Sequence, residues 1–401
     1  MRINRFSIIA TILIAGILSL YGSAWADSVT DHDVKGYQLL QAGKYQDAIK
    51  EFQAAIALNA SDIRGYVGLS RAYQQSGNLT EAIRQMRKAV ALNPSVADFQ
   101  IILGEQLVQA NQNDEAIRTF KAARELNDEA SQPLLGIAEA YAGKKDYRRA
   151  VKYAIRAMGF SPGSADIHNT LSQLYAQENR MDMAVAEAQA ALRLDNSAGN
   201  KIYLAAVLVQ AKNYSEAEPL LKAALAADPK SVDALTEMAE MDQGLHHNKA
   251  AIQLYRQAIK LSPKQASLWG NMGWSQYLLG DYLDAVSSSN RALVLDPTLT
   301  YVRYNLGLIC AVQGDLPHAM DYYEQALKAS GQDDIQAGIH DLTNALKKFP
   351  SQPALQYTIA VLLKAKGEKT QAVEHYRDFL KAQSQGQWAD AARKALGEES
   401  R

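Results

Sequence analysis

Few residues in this chain have the types and spacing that catalysis or metal binding requires. His246 and His247 are the only adjacent histidines, and Cys310 is the only cysteine. Two imidazoles could bind a transition metal, but these two fall in a segment that we predict to be an exposed turn. Cys310 lies on the predicted packed face of a helix, where a thiol acts as a small apolar side chain. The sequence contains neither a glycine-rich phosphate loop nor an HExxH motif, so we predict no metal, no cofactor and no enzymatic activity. An enzymatic role would need a catalytic group from a partner chain.

Composition indicates an ordered protein without a dominant charge. Of the 401 residues, 48% are apolar and 21% are charged, which is typical of a folded chain rather than a disordered one. The 42 basic residues balance 43 acidic ones. The overall charge therefore gives no reason to expect a nucleic-acid partner or an anionic membrane surface. A single cysteine excludes an internal disulfide scaffold and a thiolate zinc site.

The amino terminus has the pattern of an export signal. Arg2 and Arg5 precede an apolar run over residues 6–21, and Ala24-Trp25-Ala26 follows. Small residues at these two alanine positions are typical of a signal peptidase site, so we predict a signal peptide over 1–26, cleavage after Ala26 and an exported, periplasmic chain. The alternative is an uncleaved inner-membrane anchor, because the run approaches the roughly 20 residues that span a bilayer. We predict no membrane span in the mature chain.

Alanine recurs along the chain with a period of 34 residues, broken by one step of 33. One series is Ala48, Ala82, Ala116, Ala150, Ala184, Ala217, Ala251, Ala285 and Ala319. A second follows seven residues behind it: Ala55, Ala89, Ala123, Ala157, Ala191, Ala224, Ala258, Ala292 and Ala326. Such a fixed period indicates a repeat architecture, so chain length does not predict two or three separate domains.

Each repeat predicts two amphipathic helices joined by a short turn. In the copy over 266–299, Leu268, Trp269 and Met272 mark the packed face of the first helix. Gly280 then permits the left-handed conformation that ends a helix. The second helix is predicted over about 283–295, and Pro297 lies beyond its end.

This copy resembles the tetratricopeptide repeat. The resemblance depends on the 34-residue period and on Trp269-x-x-Met272-Gly273, Ala285, Ala292 and Pro297. It implies an all-α fold, namely a right-handed α-solenoid superhelix of helix-turn-helix repeats. Together with the predicted signal, the chain is similar to exported bacterial members of that family. The predicted divisions are nine repeats over 27–333, an extra helix or half repeat over 334–352, a tenth repeat over 353–386, and a capping helix with its tail over 387–401.

The resemblance implies that the first helices of successive repeats line a concave groove that holds a protein or peptide. Six residues of the eighth and ninth repeats take groove positions in this register: Asn271, Trp274, Tyr277, Tyr301, Tyr304 and Asn305. Aromatic rings beside amides would provide apolar platforms and hydrogen bonds for a peptide backbone. We therefore predict a partner-binding site here. The alternative is that the rings only cover the neighbouring repeat.

A second predicted site is acidic. Its residues take groove positions in the third to seventh repeats: Glu105, Glu139, Asp166, Asp233, Glu237 and Glu240. Negative charge in a groove favours a basic or amide-rich ligand. The alternative is that these carboxylates form an ordinary solvated face.

These observations predict a non-enzymatic scaffold of the bacterial cell envelope that binds its partner in the concave groove during assembly or export. The alternative function is a periplasmic scaffold in a polysaccharide-secretion apparatus. The sequence leaves the partner and the oligomeric state open.

Overall fold

The structure is a computed structural model that describes residues 24–329 and 331–399. Its regular secondary structure in these ranges is α-helical throughout. The helices, in chain order, are α1 (Ala24–Gln41), α2 (Tyr45–Leu58), α3 (Ile63–Gln75), α4 (Leu79–Leu92), α5 (Ala97–Gln109), α6 (Asn113–Leu126), α7 (Ser131–Gly143), α8 (Tyr147–Phe160), α9 (Ala165–Gln177), α10 (Met181–Leu194), α11 (Ala198–Gln210), α12 (Tyr214–Ala227), α13 (Val232–Gly244), α14 (Asn248–Leu261), α15 (Ala266–Leu279), α16 (Tyr282–Leu295), α17 (Thr300–Gln313), α18 (Leu316–Leu327), α19 (Gln332–Lys348), α20 (Pro353–Lys366), α21 (Lys369–Ala382) and α22 (Gln387–Glu399).

The predicted signal peptide over 1–26 lies outside the described residues except for 24–26, which form the first turn of α1. Cleavage after Ala26 stays a prediction. Within the described ranges, no helix combines the length and the apolar character that crossing a bilayer requires.

The helices pack in the order of the chain and form two compact units, the first ending at Asp195 and the second beginning at Asn196. Within each unit, the odd-numbered helices up to α17 each pack against the even-numbered helix that follows. The even-numbered helix of each such pair also packs against the next pair. The two alanine series lie at these contacts, where small side chains let the helices approach closely. The predicted fold class, an all-α solenoid of helix-turn-helix repeats, is confirmed.

The turn inside each repeat uses a left-handed residue. Gly280 ends α15 with φ of +92°, and Gly314 ends α17 with φ of +80°. In five other repeats an asparagine, lysine or histidine takes this conformation: Asn111, Lys145, Asn179, Lys212 and His246. His246, with φ of +63°, is therefore the left-handed residue of the turn that the sequence predicts.

In the first and third repeats, a phenylalanine of the second helix fills the space between two first helices. Phe120 of α6 is fully buried, and a Cβ added at Gly104 would lie 2.6 Å from its ring. Gly136 of the next first helix meets the same ring from the other side. Phe52 has the same relation to Gly36 and Gly68. These glycines are required because any side chain would overlap the aromatic ring.

After the ninth repeat the regular order changes. The single helix α19 packs against α17 and α20. Its buried side consists of Ile335, Gly338, Ile339, Leu342 and Ala345. The second unit ends with α22, whose Trp388 ring lies 5.3 Å from the ring of Tyr357 in edge contact.

Candidate protein-binding surface

Helix α15 carries two of the predicted aromatic residues side by side. Trp274 and Tyr277 are three residues apart, which places them on one helix face, and their ring centroids are 5.1 Å apart. Both are half-buried and rest on the core of α17 to α22. The Tyr277 ring also lies 6.0 Å from that of Tyr282. The rings thus form an apolar platform: one side packs on this core, and the other side is open. We call Trp274, Tyr277 and Tyr301 the aromatic face.

Hydrogen bonds connect the first helices of three successive repeats beside this platform. The Tyr301 hydroxyl of α17 donates to Asn271 Oδ1 of α15 at 3.4 Å. Asn271 Nδ2 in turn donates to Glu240 Oε1 of α13 at 3.1 Å. Burial, then the charge of Glu240, raises the pKa of Tyr301 to about 12, so its hydroxyl keeps its proton and can donate. The two hydrogen bonds link the three side chains into a polar strip that crosses α17, α15 and α13.

Asp233, Glu237 and Glu240 form a carboxylate cluster on α13. All three are half-buried. Burial, followed by the charges of Glu240 and Asp233, raises the pKa of Glu237 to about 8, and burial raises the pKa values of Glu240 and Asp233. Glu237 is therefore mostly protonated at neutral pH. The surface is therefore less negative than the count of acidic residues predicts. A bound cation would favour the deprotonated carboxylates and so make these side chains more negative.

The structure contradicts the predicted surface position of Tyr304. Its side chain is 6% exposed, and its ring lies 5.8 Å from that of Tyr323. A Cβ added at Gly338 of α19 would lie 2.6 Å from Tyr304 Cδ1. Helix α19 thus covers the position that a regular repeat would leave open. Asn305, the neighbouring residue of α17, is half-buried.

The same helix adds a carboxyl group that the sequence analysis missed. Asp341 of α19 is half-buried, and burial raises its pKa. Burial, then Tyr282 and Asp341, raises the pKa of Tyr277 to about 12. Asp341 therefore acts on the electrostatics of Tyr277, and it belongs to a different helix from the carboxylate cluster of α13. The spacing of Ile335 and Ile339 predicts a helix here, but it does not say which neighbour that helix covers.

The other three predicted acidic residues lie on separate helices of the first unit. Glu105 of α5 is half-buried and accepts a hydrogen bond from Gln132 Nε2 at 3.1 Å. Burial raises its pKa to about 7, against the effect of the Gln132 bond, and Glu139 adds to the rise. Glu139 and Asp166 are exposed on α7 and α9. The six residues are thus divided three and three between the two units.

The remaining candidates for chemistry have structural surroundings. Cys310 is 7% exposed, and burial, then Asp315, raises the pKa of its thiol to about 11. His247 Nδ1 lies 3.3 Å from Asp242 Oδ1. No group of three or more histidine, cysteine, aspartate or glutamate side chains within residues 24–329 and 331–399 is placed to hold a metal ion.

Models of the tetratricopeptide repeat match most of the chain, at residues 39–105, 103–165, 165–197, 208–270, 242–299, 301–334 and 329–387. The chain belongs to the tetratricopeptide repeat family. Members of the family are typically scaffolds for protein interactions.

Individual relatives match only segments. The chain is 28% identical over 144 residues to BBSome complex member BBS4 of Xenopus tropicalis, a match that covers 32% of this chain and 28% of that protein. It is 27% identical over 191 residues to human protein O-mannosyl-transferase TMTC1, covering 40% and 22%. It is 28% identical over 135 residues to small glutamine-rich tetratricopeptide repeat-containing protein 2 of Saccharomyces cerevisiae, covering 32% and 39%. The chain thus spans well under half the length of these relatives.

Two solved structures have the same fold. The human IFIT1 dimer with m7Gppp-AAAA matches with a TM-score of 0.55 and 17% identity, covering 88% of this chain and 90% of that one. The APC/C hetero-tetramer Cut9-Hcn1 matches with a TM-score of 0.51 and 13% identity, covering 79% and 76%.

Proposed function

We propose that this chain is a non-enzymatic scaffold of the bacterial cell envelope that binds a protein or peptide partner along α13, α15 and α17 during assembly or export. The family supports the general role. The observation that carries the specific site is the combination of a supported aromatic platform with a polar strip that runs from Glu240 through Asn271 to Tyr301. A partner that suits it has an apolar side chain next to a basic one, because rings and carboxylates then act together.

Two of the relatives bear on this proposal. BBS4 is a member of a protein complex by its name, which agrees with binding of a protein partner. TMTC1 is a transferase by its name, but the match covers only 22% of that protein. The proposal therefore remains a scaffold without catalysis.

The test is capture of partners from the envelope fraction by the chain and by two tryptophan variants. Trp274→Ala removes half of the platform and should weaken partner binding by about thirtyfold, the usual effect of losing an anchor worth about 2 kcal/mol. Trp269→Ala is the matched control, because Trp269 lies on another side of α15, where its Nε1 donates to the Pro263 carbonyl at 3.1 Å. That variant should lower the melting temperature and leave partner affinity unchanged. Equal affinities for Trp274→Ala and the unmodified chain would exclude this surface.

Charge provides a second test of the same site. A basic partner binds the deprotonated form of Glu237, so its affinity should rise as the pH increases from 6.5 towards the pKa of about 8. Glu237→Gln should remove this part of the rise. Affinity that is constant across this range would show that the carboxylate cluster does not contact the partner.

Export is a separate part of the proposal. Mass spectrometry of the protein recovered from the periplasm should give a chain that begins at Asp27. An intact amino terminus in membranes that resist a carbonate wash would instead support the anchored alternative, and neither result depends on the binding site.

A further inference from the structure

The outer side of α16 differs from that of every other second helix in the described residues. Its two most outward apolar side chains are Leu283, 85% exposed, and Val294, 71% exposed. Ser287 and Asn290 lie between them and are also exposed. Spacings of four, three and four residues place all four on one stripe along the helix, about 16 Å long. We call these four residues the α16 stripe.

The stripe carries no charge, whereas the corresponding stripes of the neighbouring second helices are charged. The same four positions of α14 are Lys249, Gln253, Arg256 and Lys260. Those of α18 are Pro317, Asp321, Glu324 and Lys328. Charged side chains keep a helix surface in water, so their replacement by Leu, Ser, Asn and Val at one helix indicates a contact surface.

The spacing is that of one seam of a two-helix coiled coil. Alternating steps of three and four residues are the a and d positions at which a second helix packs. Ser287 and Asn290 are small enough for a close approach in the middle of the seam. The Asn290 side-chain Oδ1 accepts a hydrogen bond from the Tyr322 hydroxyl at 3.3 Å, which leaves the side-chain Nδ2–H groups of Asn290 to donate outward.

The charges beside the stripe identify the partner helix. Asp284 and Arg291 are both exposed, lie seven residues apart and flank the stripe on the same side. If a second α16 runs antiparallel, Leu283 meets Val294 of the other copy and Ser287 meets Asn290. The same arrangement brings Asp284 opposite Arg291 in both directions, which gives two ion pairs. A parallel copy would not pair these charges.

We propose that the α16 stripe binds a second copy of this chain in an antiparallel, two-fold dimer. One sequence thus provides both halves of the contact, as an isologous interface requires. A single pair of helices buries less than the roughly 1,200 Å² of stable complexes, so the dimer is weak and reversible. The dimer contact uses α16 and none of the residues of the aromatic face on α15 and α17. The proposal therefore does not depend on the proposed function.

Sedimentation equilibrium of the purified chain over a wide concentration range, up to about millimolar, tests whether the dimer forms. The chain should pass from monomer to dimer as concentration rises. Val294→Asp should abolish this transition, and Arg256→Glu on α14, at the position that corresponds to Asn290, should leave it unchanged. A chain that is monomeric over the whole range would overturn the proposal, and so would association that Val294→Asp leaves intact.

Charge reversal tests the antiparallel arrangement. Asp284→Arg and Arg291→Asp should each weaken dimerisation by about tenfold or more, because each change sets like charges opposite in two places. The double variant should restore the original affinity. Melting curves control for folding. Failure of the double variant to recover would contradict the pairing.

Cross-linking gives the direction independently. With Leu283→Cys and Val294→Cys made in separate chains, mixing them under a mild oxidant should yield the disulfide between unlike chains. Leu283→Cys alone should not cross-link, because its two copies lie about 16 Å apart in the antiparallel dimer. Efficient cross-linking of Leu283→Cys to itself would indicate a parallel dimer and overturn the proposal. Cys310 is buried and does not compete.

Discussion

The first and third repeats place their bulky aromatic side chains differently from the eighth repeat. In the first unit, Phe52 and Phe120 belong to second helices, are fully buried and separate consecutive first helices. In the eighth repeat the second helix provides only Ser289 at the equivalent position. There Gly273 of α15 comes so close that a Cβ would lie 2.5 Å from Ser289 Oγ. The bulk is found instead on the first helix, as Trp274 and Tyr277.

The position of an aromatic ring in the repeat thus decides whether it stabilises the fold or is available to bind a partner. An aromatic ring on a second helix fills the interior and fixes the spacing of two repeats. A ring on a first helix, with a small residue behind it, is supported from below while one side stays available to a partner. The same residue types thus serve two purposes, and their place in the repeat determines which.

The largest expected effect is on the buried ring. Phe120→Ala should reduce the free energy of unfolding by about 3 to 5 kcal/mol, because it leaves a cavity between Gly104 and Gly136 that the helices cannot fully close. Trp274→Ala should cost clearly less, since that side chain is already partly exposed to water. Urea unfolding followed by circular dichroism measures both. Equal losses would mean that Trp274 is an interior residue and that the contrast between the third and the eighth repeats is wrong.

A smaller effect is expected from adding one methyl group to the first unit. Gly136→Ala should destabilise the chain by about 1 to 3 kcal/mol, because the new Cβ overlaps the Phe120 ring. Gly159→Ala is the matched control: Gly159 is the last residue but one of α8, with no atom within 4 Å of its added Cβ. That substitution should stabilise the helix slightly, by less than the roughly 1 kcal/mol of a helix interior. The comparison fails if both variants shift the unfolding midpoint in the same direction.

The regular part of the fold could be predicted from the sequence because its constraint is local and repeated. Each helix contacts only near neighbours, so the alanine period and the turn residues contain most of the information. The period also predicts which side of α15 packs, and hence that Trp274 and Tyr277 share a surface. His246 and Cys310 were correctly placed in a turn and on a packed face for the same reason.

The parts that could not be predicted depend on contacts outside the period. Helix α19 has no equivalent in the other repeats, so no register indicates that it covers Tyr304 or brings Asp341 towards Tyr277. The protonation of Glu237 depends on its burial in the folded chain and on the charges of Glu240 and Asp233. A count of acidic residues treats every carboxyl as solvated, and it therefore overstated the charge of this surface.

The smallest expected effect follows from that protonation. In the unfolded chain Glu237 loses its proton near pH 4.5, whereas in the folded chain it holds the proton up to about pH 8. Between these values the folded state binds more protons than the unfolded state, so this residue makes stability fall as the pH rises. Glu237→Gln cannot ionise, and its curve of unfolding free energy against pH should be flatter over this window. The gain at pH 8.5 should be on the order of 1 kcal/mol, since water still reaches part of the side chain.

A carboxylate of the first unit with the opposite shift provides the control for this last prediction. Asp146 is half-buried, and its hydrogen bonds to Arg149 lower its pKa from the usual 3.8. Its contribution to stability is present above that value and is lost as the pH falls below it. Asp146→Asn should therefore leave the slope between pH 5 and 8 as it is in the unmodified chain. Glu105→Gln should instead flatten the curve up to about pH 7, because burial raises the pKa of Glu105 in the same way. If Glu237→Gln and Asp146→Asn gave parallel curves over this window, Glu237 would be ionised at neutral pH, and the surface of α13 would be as acidic as the sequence alone predicts.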